Sequence, residues 1–98
     1  MATAYLIARI RVHDKDGFET FKQMSTPLIA DYGGRLLARN PEVEILEGNQ
    51  QGLVVLLAFD SMDDARRFYF SDGYTAAKLV REKASEADLI IVEGVEGV

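Results

Sequence analysis

The chemistry this chain offers most openly is cationic. Arg9 and Arg11 stand two residues apart in Tyr5–Leu–Ile–Ala–Arg–Ile–Arg–Val12, and Arg35 and Arg39 stand four apart in Arg35–Leu–Leu–Ala–Arg39. Alternate residues of a strand share a face, so Arg9 and Arg11 join Tyr5 and Ile7 on one side of a first strand. Arg35, Leu37 and Arg39 then share one side of a second. Guanidinium groups turned inward from water need an anion, either a carboxylate of the protein or the carboxylate or phosphate of a ligand. Arg9 and Arg35 are the favoured anchors, because Arg35 directly follows the Gly33–Gly34 pair that leads the chain into the sheet. A plainer reading places the same side chains at strand ends, paired with Glu44 or Glu47 as ordinary surface ion pairs.

Tyr5, Tyr32 and Tyr74 add polar tips on apolar bodies, and a buried tyrosine hydroxyl needs a partner that a ligand can supply. Against that, Ser71 reads as a helix cap and Tyr74 as a packing residue one turn along. His13 is the sole histidine and lies in a turn beside Asp14 and Asp16. It has a suitable unperturbed pKa for a general base, but it reads more simply as an exposed turn residue. One histidine, no cysteine and no calcium-loop spacing leave no metal site in view. Ser71 lacks the flanking glycines of a nucleophile elbow, and Gly33–Gly34 precedes a strand where a phosphate loop needs a helix.

These side chains need a scaffold, and its centre is Leu53–Val–Val–Leu–Leu–Ala–Phe59, seven apolar residues between Gly52 and Asp60. That length fits a strand, and the lack of a polar side predicts one covered on both faces. Residues 5–12 predict a first strand. Phe18, Phe21, Met24/Ser25, Leu28 and Tyr32 recur at helical spacing, with a kink or restart expected at Pro27 and a stop at Gly33. Arg35–Arg39 begins a second strand that Asn40–Pro41 interrupts and Val43–Glu47 resumes. Ser61 and Ser71 each open a helix, and Asp88–Glu93 closes the sheet before a frayed tail at 95–98.

The order is β-α-β-β-α-β over a single domain, 1–98. That is the ferredoxin-like α+β sandwich, an antiparallel sheet with its helices on one face. Residues 53–59 and 89–92 offer apolar side chains to both faces, so the bare face calls for a second copy, sheet against sheet or joined into a barrel. A net charge of -5 argues against nucleic acid and anionic membranes. No apolar run is long enough to span a bilayer, and Met1–Tyr5 has no signal-peptide pattern, so a cytoplasmic location is expected.

Tyr32–Gly–Gly–Arg–Leu–Leu–Ala–Arg39, Glu44–Ile–Leu–Glu–Gly48, Phe70–Ser–Asp–Gly–Tyr74 and Ala87–Asp–Leu–Ile–Ile–Val–Glu–Gly94 together make the chain resemble the DUF1330 family. The resemblance spans nearly the whole length. It implies a dimeric α+β barrel, related in fold to YCII-like proteins, muconolactone isomerases and cofactor-free antibiotic-biosynthesis monooxygenases. It also points to Ser71 and Tyr74 as part of a recurrent pattern. Gly73 departs from that pattern, which often has a bulkier or acidic residue there, and the Asn49–Gln51 loop is short.

The resulting expectation is a homodimer that binds a small, acidic organic molecule without a cofactor or metal. Its pocket would be lined by Ile7, Leu37, Val55 and Leu57, with Arg9, Arg35, Tyr74, Ser71 and Tyr32 as ligand-binding candidates. The catalytic residues are left open. The alternatives are an interaction domain with no pocket and, by resemblance, a cofactor-independent monooxygenase or isomerase-like enzyme.

Overall fold

The computed structural model describes residues 2–49 and 52–96. Among them the chain runs β1 (Ala4–Val12), α1 (Lys15–Asp31), β2 (Arg35–Asn40), β3 (Leu53–Phe59), α2 (Met62–Tyr69), α3 (Asp72–Ala84) and β4 (Ser85–Glu93). The four strands form one antiparallel sheet in the order β2-β3-β1-β4. The ferredoxin-like α+β sandwich is therefore present, with the second helix of the motif divided in two.

The helix boundaries follow from local chemistry. Asp14, Ser61 and Ser71 each accept a hydrogen bond from the backbone N–H three residues on, which satisfies a donor that no turn of helix can reach. Ser71 splits the second helical segment because its hydroxyl also donates to the Phe68 carbonyl, 2.8 Å away, closing α2 while opening α3. Gly33, at φ 76°, ends α1. Pro27 causes no restart, and α1 continues through it. The carbonyl it leaves without a donor belongs to Gln23, and both residues are exposed, so water can replace the lost bond.

Leu6, Ala8 and Ile10 of β1 face the helices with Leu57 and Phe59 of β3, and they meet Phe18, Phe21, Ile29, Phe68, Tyr74 and Ala77 in one buried cluster. Tyr5, Ile7, Arg9 and Arg11 occupy the other face with Val54, Leu56, Ile90 and Val92. Among the described residues no element covers that face, and the Cα envelope of 39 × 36 × 15 Å has room for two layers only. The strand at 53–59 is central as expected but covered on one side alone, and Val54 and Leu56 remain half-exposed.

Three further expectations need correction. The sheet is open and is not a barrel: β2 and β4 are its two free edges, with β3 and β1 between them. Four strands are too few to curl shut, since a closed barrel with a filled interior takes about eight. Second, residues 41–49 form no strand and are exposed throughout. Pro41 cannot donate to a ladder, and the Asn40 side chain accepts from the Glu42 N–H at 2.8 Å, turning the chain out of the sheet. Third, Arg35 and Arg39 do not share a face. A bulge between Leu36 and Ala38 places Arg35 opposite Ala58 and Arg39 opposite Val55, so Arg35 takes the open side and Arg39 the helix side.

The accessible surface is 6311 Å². A compact monomer of this mass would expose about 5,600 Å². Among the described residues no helix is long and apolar enough to cross a membrane. Gln50, Gln51, Gly97 and Val98 lie outside the described residues, and with them most of the short loop and the end of the expected tail. The tail begins tied down, because the Gly94 N–H donates to the Thr3 carbonyl at 2.6 Å.

Candidate functional site

The interior between the sheet and helices α1 and α3 contains a charge that the core does not neutralise. Arg81 is 4 % exposed. Its Nη1 donates to the Tyr74 hydroxyl oxygen at 2.6 Å, and the guanidinium lies over the rings of Phe21 and Tyr74, 5.6 and 5.9 Å from their centroids. Among the described residues no carboxylate is within ion-pair distance of it. Burying an ionised group costs several kcal/mol, on the order of what two cation–π contacts and one charge-assisted hydrogen bond return. The site is held by α3: Arg81 and Tyr74 are seven residues apart, two turns on one face, and the last turn of a helix favours a cation.

Arg81 has donors and no acceptor, so it cannot take the tyrosine proton. Among the described residues nothing accepts a hydrogen bond from the Tyr74 hydroxyl, so its hydrogen is open to a ligand. Burial pushes the Tyr74 hydroxyl up to about 12, with the Arg81 charge acting in the opposite sense. Tyr74 is thus a hydrogen-bond donor at neutral pH and not a base. The folded pKa lies above the ordinary value of 10.0. This group's contribution to stability is therefore complete below pH 10 and declines as pH climbs from about 10 to 12, by up to about 3 kcal/mol. Urea unfolding at stepped alkaline pH is expected to show this loss in the wild type and its absence in Tyr74→Phe.

Tyr74 lines a cavity of about 40 Å³ with Leu6, Ala8, Phe21, Val55 and Leu57. That is room for a few water molecules at most. Ser25 of α1 also lines it, 6 % exposed, and its hydroxyl has no hydrogen-bond partner among the described residues. Lys22 and Arg39 stand at its mouth, between α1 and β2.

The candidates read from sequence divide between the two faces of the sheet. Tyr74 is in the cavity, and Val55 and Leu57 are in its wall. Ile7 lies across the sheet, and Leu37, on the bulge, is 51 % exposed. Arg9 is on the open face, 3.4 Å from Asp88, which Arg11 also reaches at 3.2 Å. Arg35 meets Asp60 at 3.2 Å. Neither Arg9 nor Arg35 pairs with Glu44 or Glu47 in these bonds. Ser71 sits beside Tyr74 in sequence, but its oxygen and its hydrogen are both used in capping. Tyr32 caps the end of α1 and packs edge-on to Phe68, centroids 6.4 Å apart. Gly73 brings the start of α3 against α1, since a Cβ there would stand 3.0 Å from the Leu28 side chain.

Arg81 escaped the sequence reading, and Ser25 entered it only as a position on the apolar stripe of α1 and not as a site residue. Each sits in a run of helical residues, and only packing tells a buried charge from a solvated one. The i, i+7 spacing of Tyr74 and Arg81 is the one available signal, and it is weak alone. Among the described residues no three of His, Cys, Asp and Glu converge as metal ligands.

A family model described as a domain of unknown function, DUF1330, matches residues 3–95. The chain belongs to the DUF1330 family. No curated protein matches it by sequence. Solved structures resemble this DUF1330 protein in fold. A protein of unknown function from Rhodopseudomonas palustris superposes with a TM-score of 0.71 at 14% identity, covering 97% of this chain and 84% of that one. SnoaB, a cofactor-independent oxygenase from Streptomyces nogalater, gives 0.72 at 14% identity over 100% and 98% of the two chains. A dimeric ferredoxin-like protein of unknown function from Thermobifida fusca gives 0.67 at 17% identity over 95% and 92%.

Proposed function

We propose that this DUF1330 protein binds a small enolisable compound between its sheet and helices and acts on it as a cofactor-independent enzyme of the oxygenase or isomerase type. The observation that carries this reading is the Tyr74–Arg81 pair, a neutral donor backed by a buried cation at the wall of a mostly apolar cavity. When a C–H proton beside a carbonyl leaves for water, negative charge gathers on the carbonyl oxygen. A preorganised donor in a dry site stabilises that oxyanion far better than water does. The enolate carbon can then take a proton at a new position, or react with dioxygen to leave a C=O group and water. SnoaB shares the scaffold and carries out cofactor-independent oxygenation, which supports the second outcome as an analogy of fold.

The test is carbon-bound hydrogen–deuterium exchange of acetoacetate esters followed by proton NMR, with oxygen uptake recorded for hydroxylated aromatic compounds. Exchange or uptake above the buffer rate is the expected result. Neither signal across the panel overturns the reading.

We further propose that two copies pair through the open face of the sheet. On that face Ile90 and Val92 of β4 are 59 % and 44 % exposed, and Val54 and Leu56 of β3 are half-exposed. The Thermobifida fusca relative is itself dimeric. Sedimentation is expected to give a particle of about twice the 10.9 kDa chain. Ile90→Asp is expected to return it to a folded monomer. A monomeric wild type, or a variant that still pairs, contradicts this arrangement.

A further inference from the structure

Arg39 is set apart from Arg9, Arg11 and Arg35. It alone among these four lies on the helix side of the sheet, and its Nη1 donates to the neutral hydroxyl of Thr26 at 3.1 Å. No carboxylate of the described residues stands within ion-pair distance of it. Across the seam, Lys22 of α1 contacts Glu19 at 2.8 Å. Arg39, Lys22 and Lys15 line a groove of about 340 Å³ that has Glu19 as its sole acidic residue. The groove and the Tyr74 cavity share Phe18, Lys22 and Arg39, so they adjoin across these side chains, the groove more polar and the cavity more apolar. On a chain with net charge -5 this is a local positive site.

We propose that the compound acted on at Tyr74 is an organic acid whose carboxylate docks on Arg39 and Lys22 at the seam between α1 and β2. This rests on the Tyr74 cavity being a ligand site and adds the class of molecule it takes. Arg39 exchanges the Thr26 hydroxyl for a carboxylate, and such charge-assisted bonds are shorter and roughly twice as strong. The same exchange breaks the Arg39–Thr26 bond, the one side-chain hydrogen bond between α1 and β2 among the described residues. The seam must part, because the resting cavity admits only water. It is built to part: β2 is an edge strand, and Pro27, next to Thr26, leaves α1 one backbone bond short. Val12, Phe18 and Leu53 supply apolar contact in the groove for the body of the acid.

The experiment compares 6-hydroxy-2-naphthoate with its primary amide by fluorescence titration of the wild-type protein, Arg39→Gln and Tyr74→Phe. The acid is expected to bind the wild type about tenfold more tightly than the amide, the worth of one charge-assisted contact, with the preference shrinking in high salt. Arg39→Gln is expected to abolish the preference for the acid and, because the Arg39–Thr26 bond no longer holds the seam, to leave the amide bound at least as tightly as before. Tyr74→Phe is expected to weaken both. Equal binding of acid and amide by the wild type, or a preference that survives Arg39→Gln, overturns the carboxylate assignment. If Tyr74→Phe still weakens both compounds in that case, the cavity stands as a ligand site. Absence of binding at millimolar concentration, or binding indifferent to Tyr74→Phe, overturns the cavity reading and this assignment together.

Discussion

Tyr74→Phe is expected to slow carbon hydrogen–deuterium exchange of the substrate by 10²–10³-fold, the usual consequence of deleting one oxyanion donor from a dry site. Most of the loss should appear in the rate constant of the bound complex, because the donor matters most once charge has formed on the oxygen. The same substitution removes the one acceptor that the Arg81 guanidinium has among the described residues. It leaves a buried cation with ring faces alone, so a stability loss of about 1–3 kcal/mol should accompany the kinetic defect. The two effects can be separated. Adding Arg81→Met to Tyr74→Phe withdraws the stranded charge, and its flexible side chain can fill the space. The double variant is expected to regain stability and to stay inactive. The non-additivity measures the coupling between the two groups. Recovery of activity in the double variant, or full activity in Tyr74→Phe, would remove Tyr74 from the chemistry.

The second large effect concerns packing. Phe68 is 1 % exposed and stacks in tilted contact with Tyr74 and Phe59, centroids 4.7 and 5.3 Å away. Phe68→Ala empties the point where α2, α3 and β3 meet, with an expected cost of about 3–5 kcal/mol. A domain of this size has only about 5–15 kcal/mol in hand, so the melting temperature should fall by roughly 15–30 °C. Circular dichroism on heating and urea titration both read it. A loss below about 1 kcal/mol would show that the surrounding rings collapse into the gap. Because Phe68 also abuts Tyr74, the variant is expected to lose ligand affinity even at temperatures where it remains folded.

Local chemistry made most of the scaffold legible in advance. Ser61 and Ser71 cap helices because a hydroxyl there meets an N–H three residues later, a relation of spacing alone. Alternation in 5–12 placed Leu6, Ala8 and Ile10 on one side of a strand. The apolar run 53–59 lies inside the sheet because a strand so uniformly greasy is poorly suited to an edge. Pro41 reads from sequence only as an interruption, because the hydrophobic Val43, Ile45 and Leu46 invite the strand to continue, and their exposure rules that out.

The site was not legible in the same way. A single bulged residue at Leu37 separates Arg35 from Arg39, and alternation cannot register a bulge before the partner strand is known. The barrel failed for a related reason: closure depends on how many strands pair and whether the edges meet, quantities absent from any one segment. The charges of Arg9, Arg35 and Arg81 are equal in the sequence. Only the packed structure gives the first two carboxylates at the surface and leaves the third enclosed against Tyr74. Short-range order depends on neighbours a turn or a residue away, which the chain lists in sequence. Which cation keeps water and which loses it depends on residues tens of positions apart, and folding alone decides that.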